Sequence, residues 1–313
     1  MVDDEDGGDE RSAPAPGRED APSGVLTRVS PLVRRLVAPN PSPFTFTGTC
    51  SYLVGEGEVA VVDPGPDDDD HLARLLAATA GQRVAFIVVT HTHRDHSPLA
   101  KRLRAAVGAP IVGARAHVAR PGSLQGLDAS HDHDYAPDRE LTDGESIEFG
   151  GVVLTALATP GHAANHLAFA LEPENALFSG DHVMAWSTSI VAPPDGSMSD
   201  YMASLEKLRL RREEIYWPGH GGPVRDPNRY VRALLGHRRQ REASILTRLE
   251  AGPATIPEIV RQIYAGLDPR LVGAAELSTL AHLEDLTSRS LVARDEGPPL
   301  AATFHRVRDS SPL

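Results

Sequence analysis

The sequence predicts an α+β protein whose C-terminal portion forms a small, mainly helical unit. Three observations carry that reading. Short apolar runs bounded by Gly, Pro and Asp turns recur from residue 25 to residue 217. Amphipathic stretches of helical period fall between some of them, without the strict alternation of a wholly parallel sheet. After Asp226-Pro227 the order becomes helix, helix, helix, strand, as in a winged-helix-like unit. A chain of 313 residues is long enough for one sizeable core and a smaller second one.

In order along the chain, residues 1–24 hold eight acids against Arg11 and Arg18, half of the net charge of −12, among Pro, Gly and Ser. With almost nothing to bury, this segment is expected to be a disordered tail. Residues 25–60 read as strands. Phe44-Thr45-Phe46-Thr47 alternates, 51–54 resumes, and Gly55-Glu56-Gly57 turns into 59–62. Asp63-Pro64-Gly65-Pro66 breaks the strand, and the acids 67–70 precede a helix at 71–80, where they complement its dipole better than they make a calcium site. The buried-type strand 85–89 ends at Thr90. Ser97 as N-cap and Pro98 as first residue then open a helix over 99–107 that Gly108 ends. A short strand, Ile111-Val112, leads into a polar region reaching Arg139, in which His131-Asp132-His133-Asp134 is read as a solvated loop near the cleft. Strands at 145–149, 152–157, 166–171, 176–178 and 214–217 and a helix at 199–211 complete this part. Helices at 227–250, 255–264 and 271–288 and a strand at 291–294 follow, giving boundaries of 1–24, 25–227 and 228–313.

Composition narrows the function. A single cysteine, Cys50, excludes an intramolecular disulfide and fits a reducing compartment. No stretch has signal-peptide or transmembrane character, so a cytoplasmic protein without a membrane partner is expected. The acidic balance argues against a strong nucleic-acid binder. Against it stand Arg229, Arg232, Arg238, Arg239 and Arg241 on one helix, in a unit whose twelve arginines exceed its acids by only two.

The chemistry concentrates after the strand at 85–89, in His91-Thr92-His93-Arg94-Asp95-His96. In extended chain His91 and His93 point the same way and can reach one ion. Asp95 and His96, turned by the incipient helix, can hold a second. Imidazole and carboxylate without thiolate favour zinc, with iron or manganese behind it. Three further strand ends each deliver a ligand-type side chain beside glycine: Gly161-His162, Gly180-Asp181 and Gly219-His220.

Taken together, His91-x-His93-x-Asp95-His96, His162, Asp181 and His220 resemble the metallo-β-lactamase superfamily over about residues 25–225. The resemblance implies a four-layer αββα sandwich with two metal ions at its edge: His91, His93 and His162 on one zinc, Asp95, His96 and His220 on the other, and Asp181 bridging. The branch with a cysteine ligand is not matched. A closer similarity, carried by Thr159-Pro160-Gly161-His162-Ala163-Ala164-Asn165-His166, Phe178-Ser179-Gly180-Asp181-His182, Asp200-Tyr201-Met202-Ala203-Ser204-Leu205 and His237-Arg238-x-x-Arg241-Glu242, is to the β-lactamase-like protein 2 family. That family joins the sandwich to a winged-helix-like domain. It includes a mitochondrial single-strand-specific endoribonuclease, and fungal polyketide-releasing thioesterases are relatives. This chain departs in its acidity, and residues 1–24, acidic as they are, are not expected to act as a mitochondrial presequence.

The expected activity is hydrolysis by a hydroxide shared between two zinc ions, which lower the pKa of bound water to about 7. Asp95 would be both ligand and orienter of that hydroxide. Asp63 would hold a ligand histidine through its other ring nitrogen. His166 and His182 would either donate to leaving group or substrate, or only pack. The substrate is a small ester, thioester or phosphodiester, with single-stranded RNA as the alternative; a homodimer is the open question of assembly. An iron-dependent oxidoreductase on the same fold is the alternative class, but its persulfide-oxidising branch uses fewer ligands. A non-enzymatic winged-helix regulator fits seven intact ligands worst.

Overall fold

The computed structural model describes residues 22–118 and 130–307. One sheet takes strands β1 (Thr27–Arg28), β2 (Val33–Val37), β3 (Cys50–Glu56) and β4 (Glu58–Val62). Beyond helix α1 (Asp69–Thr79) comes β5 (Arg83–Val89), and beyond α2 (Leu99–Val107) come β6 (Ile111–Gly113) and β7 (Arg139–Glu140). These strands lie in sequential order, antiparallel up to β4 and parallel from β4 to β7. The change follows from the connections, since a parallel neighbour needs a crossover and α1 and α2 supply two of them.

The second sheet takes β8 (Ser146–Phe149), β9 (Val152–Ala158), β10 (Leu167–Leu171), β11 (Ala176–Gly180) and, beyond α3 (Met198–Arg209), β12 (Ile215–Pro218) and β13 (Val224–Arg225). Its order runs from β13 to β8, and only β11 and β12, joined through α3, are parallel. Tyr52, Val62, Phe149, Phe169, Phe178 and Trp217 fill the space between the two sheets. Leu75, Leu99 and Leu103 of α1 and α2 cover the outer face of the first sheet. Tyr201 and Leu205 of α3 cover that of the second, giving the expected αββα layers.

The C-terminal unit consists of α4 (Pro227–Glu250), β14 (Ala254–Thr255), α5 (Ile256–Ile263), α6 (Val272–Ser288), β15 (Val292–Arg294) and β16 (Thr303–Arg306), with the strands paired as β14-β16-β15. Helix α4 belongs to two cores. Val231, Leu234 and Leu235 pack with α3 against the sandwich, whereas Ile245 and Leu249 pack with Ile256, Leu283 and Phe304.

Several sequence expectations need correction. Phe44-Thr45-Phe46-Thr47 is a turn and not a strand: Ser42 Oγ accepts from the backbone of Phe44 and Thr45, and a single bridge pairs Ser42 with Phe46. Ser97 does not cap α2, because its hydroxyl donates to Asp132 Oδ2 at 2.8 Å. That bond, with Asp132 N to Thr92 O at 2.8 Å, draws the 131–134 segment onto the metal-type loop, so His131 is buried and not solvated. Strands β14 and β16 carry too little apolar alternation to be read from sequence. Of the acidic tail, residues 1–21 lie outside the described residues, while Ser23 and Gly24 join the body through Val37.

Candidate metal centre

The C-terminal ends of β5, β11 and β12 and the loop after β9 meet at one edge of the sandwich. Backbone bonds across that edge fix the loops: Leu167 N to Thr90 O at 2.8 Å, Gly219 N to Gly180 O at 2.9 Å, and Cys50 N to Gly219 O at 2.8 Å. Leucine- and valine-rich strands thus supply a rigid base, and the polar residues project just past it.

All seven residues singled out from the sequence converge there. His93 Nδ1 lies 3.1 Å from His91 Nε2 and 3.0 Å from His162 Nε2. His220 Nε2 lies 3.1 Å from Asp95 Oδ2, 3.2 Å from Asp181 Oδ2 and 3.3 Å from His96 Nε2, which is itself 3.4 Å from Asp95 and from Asp181 Oδ1. Asp181 Oδ2 also approaches His162 Nε2 at 3.7 Å, so this one carboxylate touches both groups. The donors fit metal ions. A tetrahedral ion with bonds of about 2.0–2.1 Å spaces its ligand atoms about 3.3–3.4 Å apart. Asp181 Oδ1 is buried with no hydrogen-bond donor among the described residues, a lack that a cation would satisfy.

Asp63 sets the tautomers of both groups. Its Oδ2 accepts from His96 Nδ1 at 3.0 Å and from Thr90 Oγ1 at 2.8 Å, while its Oδ1 accepts from Thr90 N at 2.8 Å. With the Thr90 hydroxyl committed to Asp63, Thr90 Oγ1 accepts from His91 Nδ1 at 2.9 Å. Both Nε2 lone pairs therefore face the cleft, one held directly and one through a threonine. His162 is fixed in the same way, with Nδ1 donating to Ile190 O at 2.6 Å.

The electrostatics differ between the groups. Burial, with His96 and His93 nearby, holds His91 well below the ordinary imidazole range, and burial with His162 and His131 does the same for His93. Burial also opposes charge on His96 and His220, but the carboxylates outweigh it. Asp95 and Asp181 raise His96 well above the usual range, and Asp181 and Asp95 push His220 up to about 9. Burial likewise works to raise the two carboxyl groups, and these histidines carry both well below the carboxylate range.

His166 needs a correction. Its Nε2 accepts from Asp181 N at 3.2 Å and its Nδ1 bonds Thr159 Oγ1 at 2.8 Å, beneath the loop and away from the cleft. Both nitrogens are bonded inside the protein, Nε2 to the Asp181 backbone and Nδ1 to Thr159, and His166 is not among the residues that line the cleft. His182 is also fully buried, packed on Tyr201 at 4.5 Å, and held neutral with a pKa lowered to about 3 by burial, His162 and Arg238.

The cleft above these groups has a volume of about 510 Å³. Phe44, Met184, Ile190, Ala192, Pro194 and, from α6, Leu277 form its apolar wall. His117, His131 and Asp195 also line it; of these, sequence reading set His131 aside and missed the others, which are separated by 78 positions and share no motif. The arginines considered for nucleic-acid contact are partly consumed. Arg238 is buried, donates to Ser189 O and lies 5.0 Å over the Tyr201 ring; Arg241 lies over Tyr264 at 3.9 Å; Arg239 pairs with Glu206 at 2.7 Å.

Comparison with known proteins agrees with this architecture. Residues 44–220 match the metallo-beta-lactamase superfamily, and residues 255–298 match the beta-lactamase associated winged helix domain. The chain is 30% identical over 247 residues to a beta-lactamase-like protein 2 homolog of Caenorhabditis elegans, covering 77% of this chain and 79% of that one. It is 28% identical over 256 residues to an atrochrysone carboxyl ACP thioesterase of Aspergillus fumigatus, covering 76% and 75%. Among solved structures, a metallo-beta-lactamase family protein from Thermus thermophilus superposes with a TM-score of 0.74 at 27% identity, over 90% of this chain and 100% of that chain. Among the described residues no helix is long and apolar enough to cross a membrane.

Proposed function

From the premise that this chain belongs to the metallo-beta-lactamase superfamily of metal-dependent hydrolases, we propose that it cleaves a small ester or thioester carrying an apolar acyl group, at a site for two zinc ions. The observation that carries the reading is the apolar wall facing Asp95, Asp181 and His220 across one cleft. A phosphodiester groove would need free cations along the strand path, and Arg238, Arg239 and Arg241 are already engaged. The similarity to a thioesterase supports the same bond type.

His91, His93 and His162 would hold one ion, and Asp95, His96 and His220 the other, with Asp181 shared. When bound, such ions acidify water and act as Lewis acids. The protein's own residues then do four things. Asp63 and Thr90 keep His91 and His96 in the tautomer that offers Nε2. His166 anchors the backbone of Asp181. Asp95, 29% exposed and facing the cleft, is placed to orient the attacking water by accepting its hydrogen bond. Phe44, Ile190 and Leu277 take the acyl group and exclude bulk water. Four donors in the second group favour two metals over the single iron of an oxidoreductase.

The division at 228 is also part of this proposal, with the qualification that the first half of α4 is packed on the sandwich. The test is turnover of thioesters of rising acyl length, compared with single-stranded RNA, by the zinc-loaded protein. Salt-insensitive thioester hydrolysis that Leu277→Ala weakens mainly through KM is expected. RNA cleavage in place of thioester hydrolysis would overturn the reading.

A further inference from the structure

Residues 181–190 form an irregular segment that begins at Asp181 and ends against His162. Among the described residues, no backbone–backbone hydrogen bond holds the stretch 183–190. Side chains hold it instead. Ser179 Oγ donates to Val183 O at 2.7 Å. The Tyr230 hydroxyl lies 2.7 Å from Met184 O and 3.1 Å from Ala185 O, and the buried Arg238 donates through Nη2 to Ser189 O. Tyr230 and Arg238 both belong to α4, eight positions apart on one stripe of the helix.

Both ends of this segment touch the metal-type groups. Ser189 Oγ donates to Asp181 O at 2.5 Å, with His182 O at 2.9 Å, and so ties the end of the segment back to its start. The next residue, Ile190, supplies the carbonyl that accepts from His162 Nδ1 at 2.6 Å. That bond keeps the proton on Nδ1 and leaves Nε2, 3.0 Å from His93 Nδ1, as the ligating atom. A ring nitrogen whose acceptor drifts no longer has its tautomer fixed. The bond from Arg238 anchors the backbone one residue before that acceptor, and the bonds from Tyr230 anchor it at 184 and 185.

We propose that Arg238 and Tyr230 are positioning residues of the metal centre: through the segment 183–190 they hold His162 in its Nδ1–H tautomer and keep Asp181 in place. Helix α4 begins after the last ligand-type residue, His220, and supplies no ligand, yet it carries these two donors. Neither residue lines the cleft, so they act from behind the site and touch no substrate. The inference gives Arg238, in the His237-Arg238-x-x-Arg241-Glu242 motif, a task that its charge alone does not. It also makes the C-terminal unit a structural partner of the chemistry and not only a wall of the cleft.

This inference rests on the dinuclear reading for what His162 would hold, and two readouts on the full chain separate the two. In the metal-free protein, the ring nitrogen chemical shifts of His162 report its tautomer. Arg238→Met, which keeps an apolar stem over Tyr201, should lose the single Nδ1–H form, and Tyr230→Phe should lose it in part. Titrated with Co²⁺, the same variants should bind the ion that His162 would hold roughly 10-fold more weakly, with a changed visible spectrum. Leu283→Ala opens the C-terminal core without touching these bonds, so it should lower the denaturant midpoint and leave both readouts at wild type. Wild-type tautomer and Co²⁺ affinity in Arg238→Met and Tyr230→Phe would overturn the inference, as would an equal loss in Leu283→Ala. A wild type that takes up fewer than two ions would overturn the dinuclear reading instead, and the metal-free tautomer would still decide the role of Arg238 and Tyr230.

Discussion

Gly219 stands where no side chain can: a Cβ there would collide with Asp181 Oδ1 and lie 2.6 Å from His96 Cε1. The glycine is required by close approach, since its backbone is not in the left-handed region. Gly219→Ala should leave the fold intact but shift both side chains, lowering metal affinity roughly 10- to 100-fold. Metal content after dialysis, alongside an unchanged far-ultraviolet spectrum, checks this.

Asp63 acts on both metal-type groups through His96 and through Thr90 with His91. Asp63→Ala should therefore weaken the binding of both metal ions, again roughly 10- to 100-fold. Thr90→Val should spare the His96 side and weaken only the binding of the ion that His91 would hold. Equal loss of both in Thr90→Val would refute this relay.

Protons and metal compete at His220 and His96. In the metal-free chain His220 is pushed up to about 9 by Asp181 and Asp95 against the cost of burial. Because that folded value exceeds the ordinary 6.5, its contribution to stability is full below 6.5 and is lost as the pH rises through about 9. Zinc uptake at pH 7 should release protons, and affinity should rise with pH over that window. Calorimetry in buffers of different ionisation enthalpy measures the release; no buffer dependence would contradict the proton inventory.

Arg238 is a structural cation. It is buried, bonded to Ser189 O and stacked over Tyr201, so Arg238→Ala leaves a carbonyl unpaired and a ring uncovered. The expected cost is about 2–4 kcal/mol in folding stability, read as a lower denaturant midpoint. If the substitution instead weakened RNA binding without changing that midpoint, the nuclease reading would regain ground.

The sequence by itself determined the seven ligand-type residues, because each ends an apolar strand run beside glycine or sits within six positions of another, and such local patterns survive without tertiary information. It also determined where α2 ends, through Gly108, and where α4 begins, through Asp226-Pro227. Tertiary structure alone decided the roles of residues whose partners are distant in the chain. His166 could face substrate or backbone until Asp181 N came within 3.2 Å of it. Ser97 left its capping role for Asp132, 35 positions away. His131, solvated by its local sequence, became part of the cleft when Asp195 and His117 arrived beside it. A side chain's hydrogen bonds and burial depend on what the fold brings within about 3 Å, and sequence spacing carries no record of that.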